Sequence, residues 1–251
     1  MRYWHKFQAA LIFYTCLPLP IKTQLDFRGI ALYAPLIGVL IGGAIATFDY
    51  GLAIIKPNIE FIYLRSLLVV LLGLWLTGGL HLDGAMDAAD GLAVTDPQRR
   101  LEVMADSRTG AFGAIAAIVI LLLKVVAIAA ILPHRFWMIT SIWGWARWGQ
   151  LRAIMAYPYL KATGKGKFHQ ECLHNYQVWL IAILLTLGNL AIGWYWQLLP
   201  LAISITIVSG GLAWGLGAWF ASQFGGHTGD TYGAIVEWSE ALSLCAIALI
   251  I

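Results

Sequence analysis

Long apolar stretches separated by short polar connections set the pattern of this chain. They run at roughly 30–55, 61–80, 111–132, 136–156, 178–197, 200–221 and 233–251. About 20 apolar residues suffice for a helix to cross a hydrocarbon core, and a helix satisfies its own backbone hydrogen bonds there. The pattern predicts an all-α integral membrane protein of about seven transmembrane helices, forming a single polytopic domain over residues 1–251. A further run from Phe7 to Leu19 is only about 13 residues long, with Pro18 and Pro20 at its end. That is short for a crossing. Arg2 and Lys6 before it give it the look of a signal peptide, but no small-x-small cleavage site follows. It is expected to be a short N-terminal half-helix that enters the bilayer and returns.

The positive charges orient the spans. If the first run re-enters, one side receives the N-terminus and the loops near 20–29, 81–110, 157–177 and 222–232. That side holds most of the cations, among them Arg2, Lys6, Arg99, Arg100, Arg108, Lys161, Lys165 and Lys167. The bias makes 81–110 and 157–177 cytoplasmic loops.

Composition agrees and closes other routes. Of 251 residues, 60% are hydrophobic and 12% charged, and the mean hydropathy is +0.76. A soluble domain carries about a quarter charged residues. The net charge of +3 is dispersed, which leaves no face for nucleic acid. Cys16, Cys172 and Cys245 are far apart and suggest neither a disulfide nor a metal cluster.

The acids are not dispersed. Of 13 in the chain, six fall between 81 and 110: Asp83, Asp87, Asp90, Asp96, Glu102 and Asp106. Asp83, Asp87 and Asp90 follow i, i+4, i+7, which stacks them on one helical face. Glu102 and Asp106 repeat the i, i+4 spacing and are expected on a second helical stretch entering the next span. Like charges so placed repel, and carboxylates near lipid are costly. Hard divalent cations neutralise such oxygen ligands. A solvated acidic loop, or ion pairs with Arg99, Arg100 and Arg108, is the plainer alternative. Gly78, Gly79, Gly84 and Gly91 lie among the acids and permit a close approach of backbone or phosphate.

Asp87-x-x-Asp90-Gly followed by Glu102-x-x-x-Asp106 is similar to the signature of the CDP-alcohol phosphotransferases. It departs from that signature at Val94-Thr95 and Gln98, so the reaction logic carries over and the substrate does not. A second resemblance covers nearly the whole chain. The blocks Phe13–Pro20, Thr77–Leu92, Arg100–Gly113, Ala156–Tyr159 and Gly225–Glu237 resemble, in order, those of the cobalamin-5'-phosphate synthase (adenosylcobinamide-GDP ribazoletransferase) family. Met86 and Lys165 are mild departures. The resemblance implies a multi-pass enzyme of the bacterial cytoplasmic (inner) membrane with its active site facing the cytoplasm. It implies magnesium as cofactor, and adenosylcobinamide-GDP and α-ribazole or its 5'-phosphate as substrates. The products would be GMP and adenosylcobalamin or its 5'-phosphate. On this footing Asp83, Asp87, Asp90, Glu102 and Asp106 are expected to hold Mg2+. Asp90 and Asp106 are the expected catalytic residues, Asp106 either as a ligand or as the base that takes the ribazole proton.

Other polar residues are candidate substrate contacts. Lys165 and Lys167 stand among glycines in a loop that could cradle phosphates, although a basic cytoplasmic loop is expected in any case. Arg108 and Arg147 are phosphate candidates, whereas Arg152 is expected to snorkel. His227, Asp230, Glu237 and Glu240 form a second polar cluster, the glutamates inside an otherwise apolar helix; pairing with Arg147 and Arg152 is the structural alternative. His81 is expected beside the metal site rather than on it. Lys124 reads as structural, with Asp49 its expected partner. Gly78-Gly79-Leu-His81-Leu-Asp83 faintly resembles Gly225-Gly226-His227-Thr-Gly-Asp230. A cation-coupled transporter is the competing function, and a homo-oligomer is left open.

Overall fold

The structure is a computed structural model describing residues 2–19, 25–132, 134–161 and 173–251. Among these residues it is helical, without a sheet. A short helix, α1 (Arg2–Tyr14), comes first. Then follow α2 (Ala34–Ile55) and α3 (Ile62–Thr77). Two shorter helices, α4 (Leu80–Ala93) and α5 (Arg100–Val103), lead to α6 (Ala111–Ala130) and α7 (Arg135–Ala156). The chain closes with α8 (Asn175–Tyr195), α9 (Leu199–Phe224) and α10 (Gly229–Ala248).

Five segments are long and apolar enough to cross a membrane: Ile30–Ile55, Ile59–Thr77, Ala111–Ala130, Asn175–Tyr195 and Leu199–Phe224. Helices α7 and α10 match them in length, with 22 and 20 residues, but carry charges. Those charges are tolerable because both helices are mostly buried inside the bundle. Helix α7 packs against α2, α8, α9 and α10. Small residues set how closely, as expected where lipid supplies no hydrophobic drive between helices. A Cβ on Gly42 of α2 would come within 2.9 Å of the Thr140 Cα, and one on Gly38 would strike the Trp143 carbonyl.

Helix α1 is too short to cross a hydrocarbon core by itself. Its 13 residues rise about 20 Å. Near its start the Tyr3 carbonyl accepts a hydrogen bond from the Tyr33 hydroxyl (3.4 Å), beside the start of α2. Just past its end the Cys16 N–H donates to the Leu76 carbonyl (2.8 Å), at the end of α3. Both contacts lie at one end of the bundle, the end where α6, α8 and α10 also begin. This end is called the mouth below.

The expected pairing of Lys124 with Asp49 is corrected. Asp49 instead joins two arginines at the far end, Arg65 (2.9 Å) and Arg135 (3.0 Å). Each stands in the first turn of its helix, so both reach the last turns of α2. Lys124 faces the opposite way, toward α10.

Candidate active site

Helix α3 stops at Gly78 and Gly79, both left-handed at φ 60° and 70°, a conformation glycine adopts without steric cost. The double turn releases the chain into α4. Leu82, Ala85 and Ala88 bury one side of α4, which leaves Asp83, Asp87 and Asp90 to share the other. Helix α9 ends the same way at Gly225, and α10 follows after Thr228 caps it. The two short glycine turns therefore place Asp83 in the first turn of α4 and Asp230 in the first turn of α10.

The two helices cross in near contact. A Cβ on Gly84 would come within 2.7 Å of the Asp230 carbonyl oxygen, and one on Gly233 within 2.7 Å of that of His81. Gly84 thus admits protein backbone, one of the two close approaches its lack of a side chain allows. Replacing Gly84 by Val should push α4 from α10, cost roughly 1–3 kcal/mol of stability and slow turnover by about tenfold or more. Gly43→Ala, at a glycine with no described atom within 4 Å of the added Cβ, is the control. Thermal unfolding in detergent and initial rates would check this. Equal behaviour of the two variants would contradict a role for the crossing.

Four acids meet at the mouth. The Asp87 carboxyl is pushed up to about 6, by burial first and then by the charges of Asp83, Asp230 and Asp90, with Lys161 opposing. Asp230 Oδ2 accepts from Lys161 Nζ (3.0 Å) and from the Thr228 hydroxyl (3.2 Å). Asp90 is committed to α6, since its carboxylate accepts the N–H groups of Gly110 (2.7 Å) and Gly113 (2.8 Å). That satisfies amides a helix start leaves open and places an anion against the positive end of its dipole.

Glu102 and Asp106 do not join them. The expected continuous second helix is corrected: α5 spans only Arg100–Val103, and Asp106 lies beyond it. Its carboxylate accepts the Arg108 N–H (3.0 Å) and a two-pronged contact from the guanidinium (Nη2 at 2.7 Å). Hydrogen bonds from Arg108 hold this exposed carboxyl down at about 2, so it is an ionised carboxylate already paired with its neighbour. Glu102 is exposed on α5, and Arg108 faces Asp106.

Beneath the mouth lies a second charged group. Lys124 Nζ donates to Glu237 Oε2 (2.7 Å) and Glu240 Oε2 (2.6 Å), and Arg147 Nη1 donates to Glu240 Oε1 (2.7 Å). Two cations thus balance two anions, all almost fully buried. Arg147 and Glu237, expected as substrate contacts, are both held in this group, Arg147 on Glu240 and Glu237 on Lys124; this is the pairing weighed as the structural alternative, with Lys124 in the place of Arg152. Arg152 takes no part; its guanidinium lies 3.7 Å over the Trp214 ring.

His227 is also internal. Its N–H donates to the Pro158 carbonyl (2.9 Å), and its carbonyl accepts the Leu160 N–H (2.8 Å). Its Nδ1 lies 3.0 Å from the Thr231 hydroxyl. Burial pushes the imidazole down to about 4, so it is neutral. The residue pins 158–160 beside α10 and so delivers Lys161 to Asp230, which is a positioning task. Lys165 and Lys167, with Cys172, lie outside the described residues. His81 lies within the bundle at the start of α4 and is 2% exposed.

Among the described residues no three His, Cys, Asp or Glu side chains are close enough to close around an ion. Mg2+ does fit the donor chemistry. It typically takes one or two carboxylates and completes its shell with substrate phosphates and water, and Asp83 with Asp87 forms such a pair one helical turn apart.

The chain matches the family model described as cobalamin-5-phosphate synthase over residues 6–248. It is 48% identical to the adenosylcobinamide-GDP ribazoletransferase of Trichormus variabilis over 244 residues, covering 96% of each chain. The protein of that name from Synechocystis sp. is 45% identical over 247 residues, covering 96% of this chain and 94% of the relative. The one from Prochlorococcus marinus is 35% identical over 261 residues, with the same coverage. No solved structure matches the chain.

Proposed function

The chain belongs to the cobalamin-5-phosphate synthase family, and we propose that it catalyses the transfer for which those relatives are named. It moves the adenosylcobinamide phosphoryl group from adenosylcobinamide-GDP to a free ribose hydroxyl of α-ribazole or α-ribazole 5'-phosphate. The hydroxyl oxygen forms a bond to the cobinamide-linked phosphorus, the bond to the GMP oxygen breaks, and GMP leaves. The meeting of Asp83, Asp87 and Asp230 across α4 and α10 carries this reading, because it gathers anionic ligands where a pyrophosphate would have to sit.

Asp83 and Asp87 would hold Mg2+ on the pyrophosphate. Bound there, the ion supplies charge stabilisation for the transferred phosphoryl and for the leaving group. Asp230 lies across the crossing. Lys161 and Thr228 occupy its Oδ2, leaving Oδ1 to take the hydroxyl proton. Lys161 steadies that carboxylate and adds a cation beside the phosphates. Asp90 acts at one remove, fixing the start of α6 against α4.

We place the mouth on the cytoplasmic side of the bacterial inner membrane, since the charge bias of the loops points that way. A transporter would need unpaired carboxylates near mid-membrane. Here Glu237 and Glu240 are both bound to cations. Membrane vesicles given adenosylcobinamide-GDP, α-ribazole and Mg2+ should release GMP, and chelation of the ion should stop it. Folded protein that releases none under these conditions would overturn the reading.

A further inference from the structure

A cavity of about 180 Å3 opens under the mouth acids, between α1, α4, α7 and α10. Asp83 and Asp230 stand at its rim. Inside, its walls are aromatic: Tyr14 stacks on His81 (centroids 6.1 Å, 20° between planes), and Tyr159 stacks on Tyr232 (6.3 Å, 20°). Two of its buried side chains carry unmet polar atoms. His81 is 2% and Gln150 6% exposed, yet both ring nitrogens of His81 and the Oε1 of Gln150 lack a hydrogen-bond partner among the described residues. Buried polar groups are expensive to leave in that state, and in a native protein each calls for an occupant or a role.

We infer that this cavity is the subsite for the fused aromatic base of the acceptor nucleoside, with His81 and Gln150 contacting its ring nitrogen. The inference rests on the transfer reaction proposed above. A cavity of about 150 Å3 holds a benzene-sized ring, so this one takes a flat heterocycle and excludes a corrin. Aromatic walls on two sides suit stacking. The unmet ring nitrogens of His81 and the unmet amide oxygen of Gln150 stand in one wall of the cavity, and an imidazole and an amide can between them donate and accept. A base with one open ring nitrogen and an otherwise hydrocarbon edge is met by that pair. Guanine, with an acceptor and two donor groups in a row, would leave part of its edge unpaired. With the base inward, the ribose points outward and carries its free hydroxyls to the rim, beside Asp230.

The test uses the full chain in vesicles, with Gln150→Met and His81→Phe measured beside the unsubstituted protein. Gln150→Met keeps the volume and removes the amide, so it guards against a folding failure of His81→Phe. KM for α-ribazole should rise by about tenfold or more in each, with KM for adenosylcobinamide-GDP within about twofold. Equilibrium binding of α-ribazole alone should weaken in parallel. A rise confined to KM for adenosylcobinamide-GDP would assign the cavity to guanine and overturn the inference. So would unchanged constants for both substrates. Loss of the proposed reaction itself would appear differently, as absence of GMP release from the unsubstituted protein. The binding measurement would then still decide whether the cavity takes the nucleoside.

Discussion

Asp87→Asn should leave a folded, membrane-inserted protein that has lost turnover by at least about 10^2-fold. Removing one group that stabilises transition-state charge typically costs that much, and here the lost group is half of the pair assigned to Mg2+. The carboxylate is half-buried beside Asp83, Asp90 and Asp230, so the substitution also relieves repulsion. Stability should therefore hold or rise slightly while Mg2+ affinity falls. Manganese as a spin probe would report the affinity, and thermal unfolding in detergent the stability. A variant with normal turnover would remove Asp87 from the site. Loss of activity together with loss of fold would instead give it a structural task.

Lys124→Met should have the largest effect on folding. Glu237 would lose its cation, and Glu240 would keep only Arg147. Breaking one member out of a buried charge group costs about 3–5 kcal/mol, because the stranded charge stays uncompensated, and total stability is itself only about 5–15 kcal/mol. The protein should vanish from membranes or aggregate on extraction. Adding Glu237→Met should restore most of it, since Arg147 and Glu240 remain a balanced pair. Quantified protein in the membrane fraction, single against double variant, checks this. No recovery in the double variant would show that shape rather than charge holds that part of the bundle.

The part of the site carried by α4 was legible because helical periodicity is local. Asp83, Asp87 and Asp90 needed only the spacing i, i+4, i+7 to share a face. The same spacing misled at Glu102 and Asp106, since it says nothing about whether the helix continues. Arg108, two residues on, draws Asp106 into a turn instead. Asp230 was legible as part of the second polar cluster but tied to the first acids only by the faint likeness of 78–83 to 225–230, and the structure turns that likeness into matched glycine turns flanking the mouth. Lys124 found partners 113 and 116 residues away, a pairing no local pattern encodes. Gln150 gave one signal, an uncharged polar residue in a span three positions after Arg147. It carries no charge, and an accounting by charge passes over it. The all-helical, membrane-spanning character was legible from hydropathy for the same reason the acids of α4 were: each helix is written in consecutive residues; of about seven expected crossings, five described segments are long and apolar enough.

The neutral quartet of Lys124, Arg147, Glu237 and Glu240 also bears on biosynthesis. Chains emerge and begin to organise from the N-terminus. Lys124 and Arg147 therefore enter the bilayer while both glutamates are still unmade, and α10, the last helix, brings the whole of the compensating charge. Until it docks, two cations lie unanswered among apolar helices, at a cost of about 2.5–3.5 kcal/mol each by insertion scales. Docking of α10 thus supplies the charge that both cations lack until then, and the quartet ties α6 and α7 to a helix made after them.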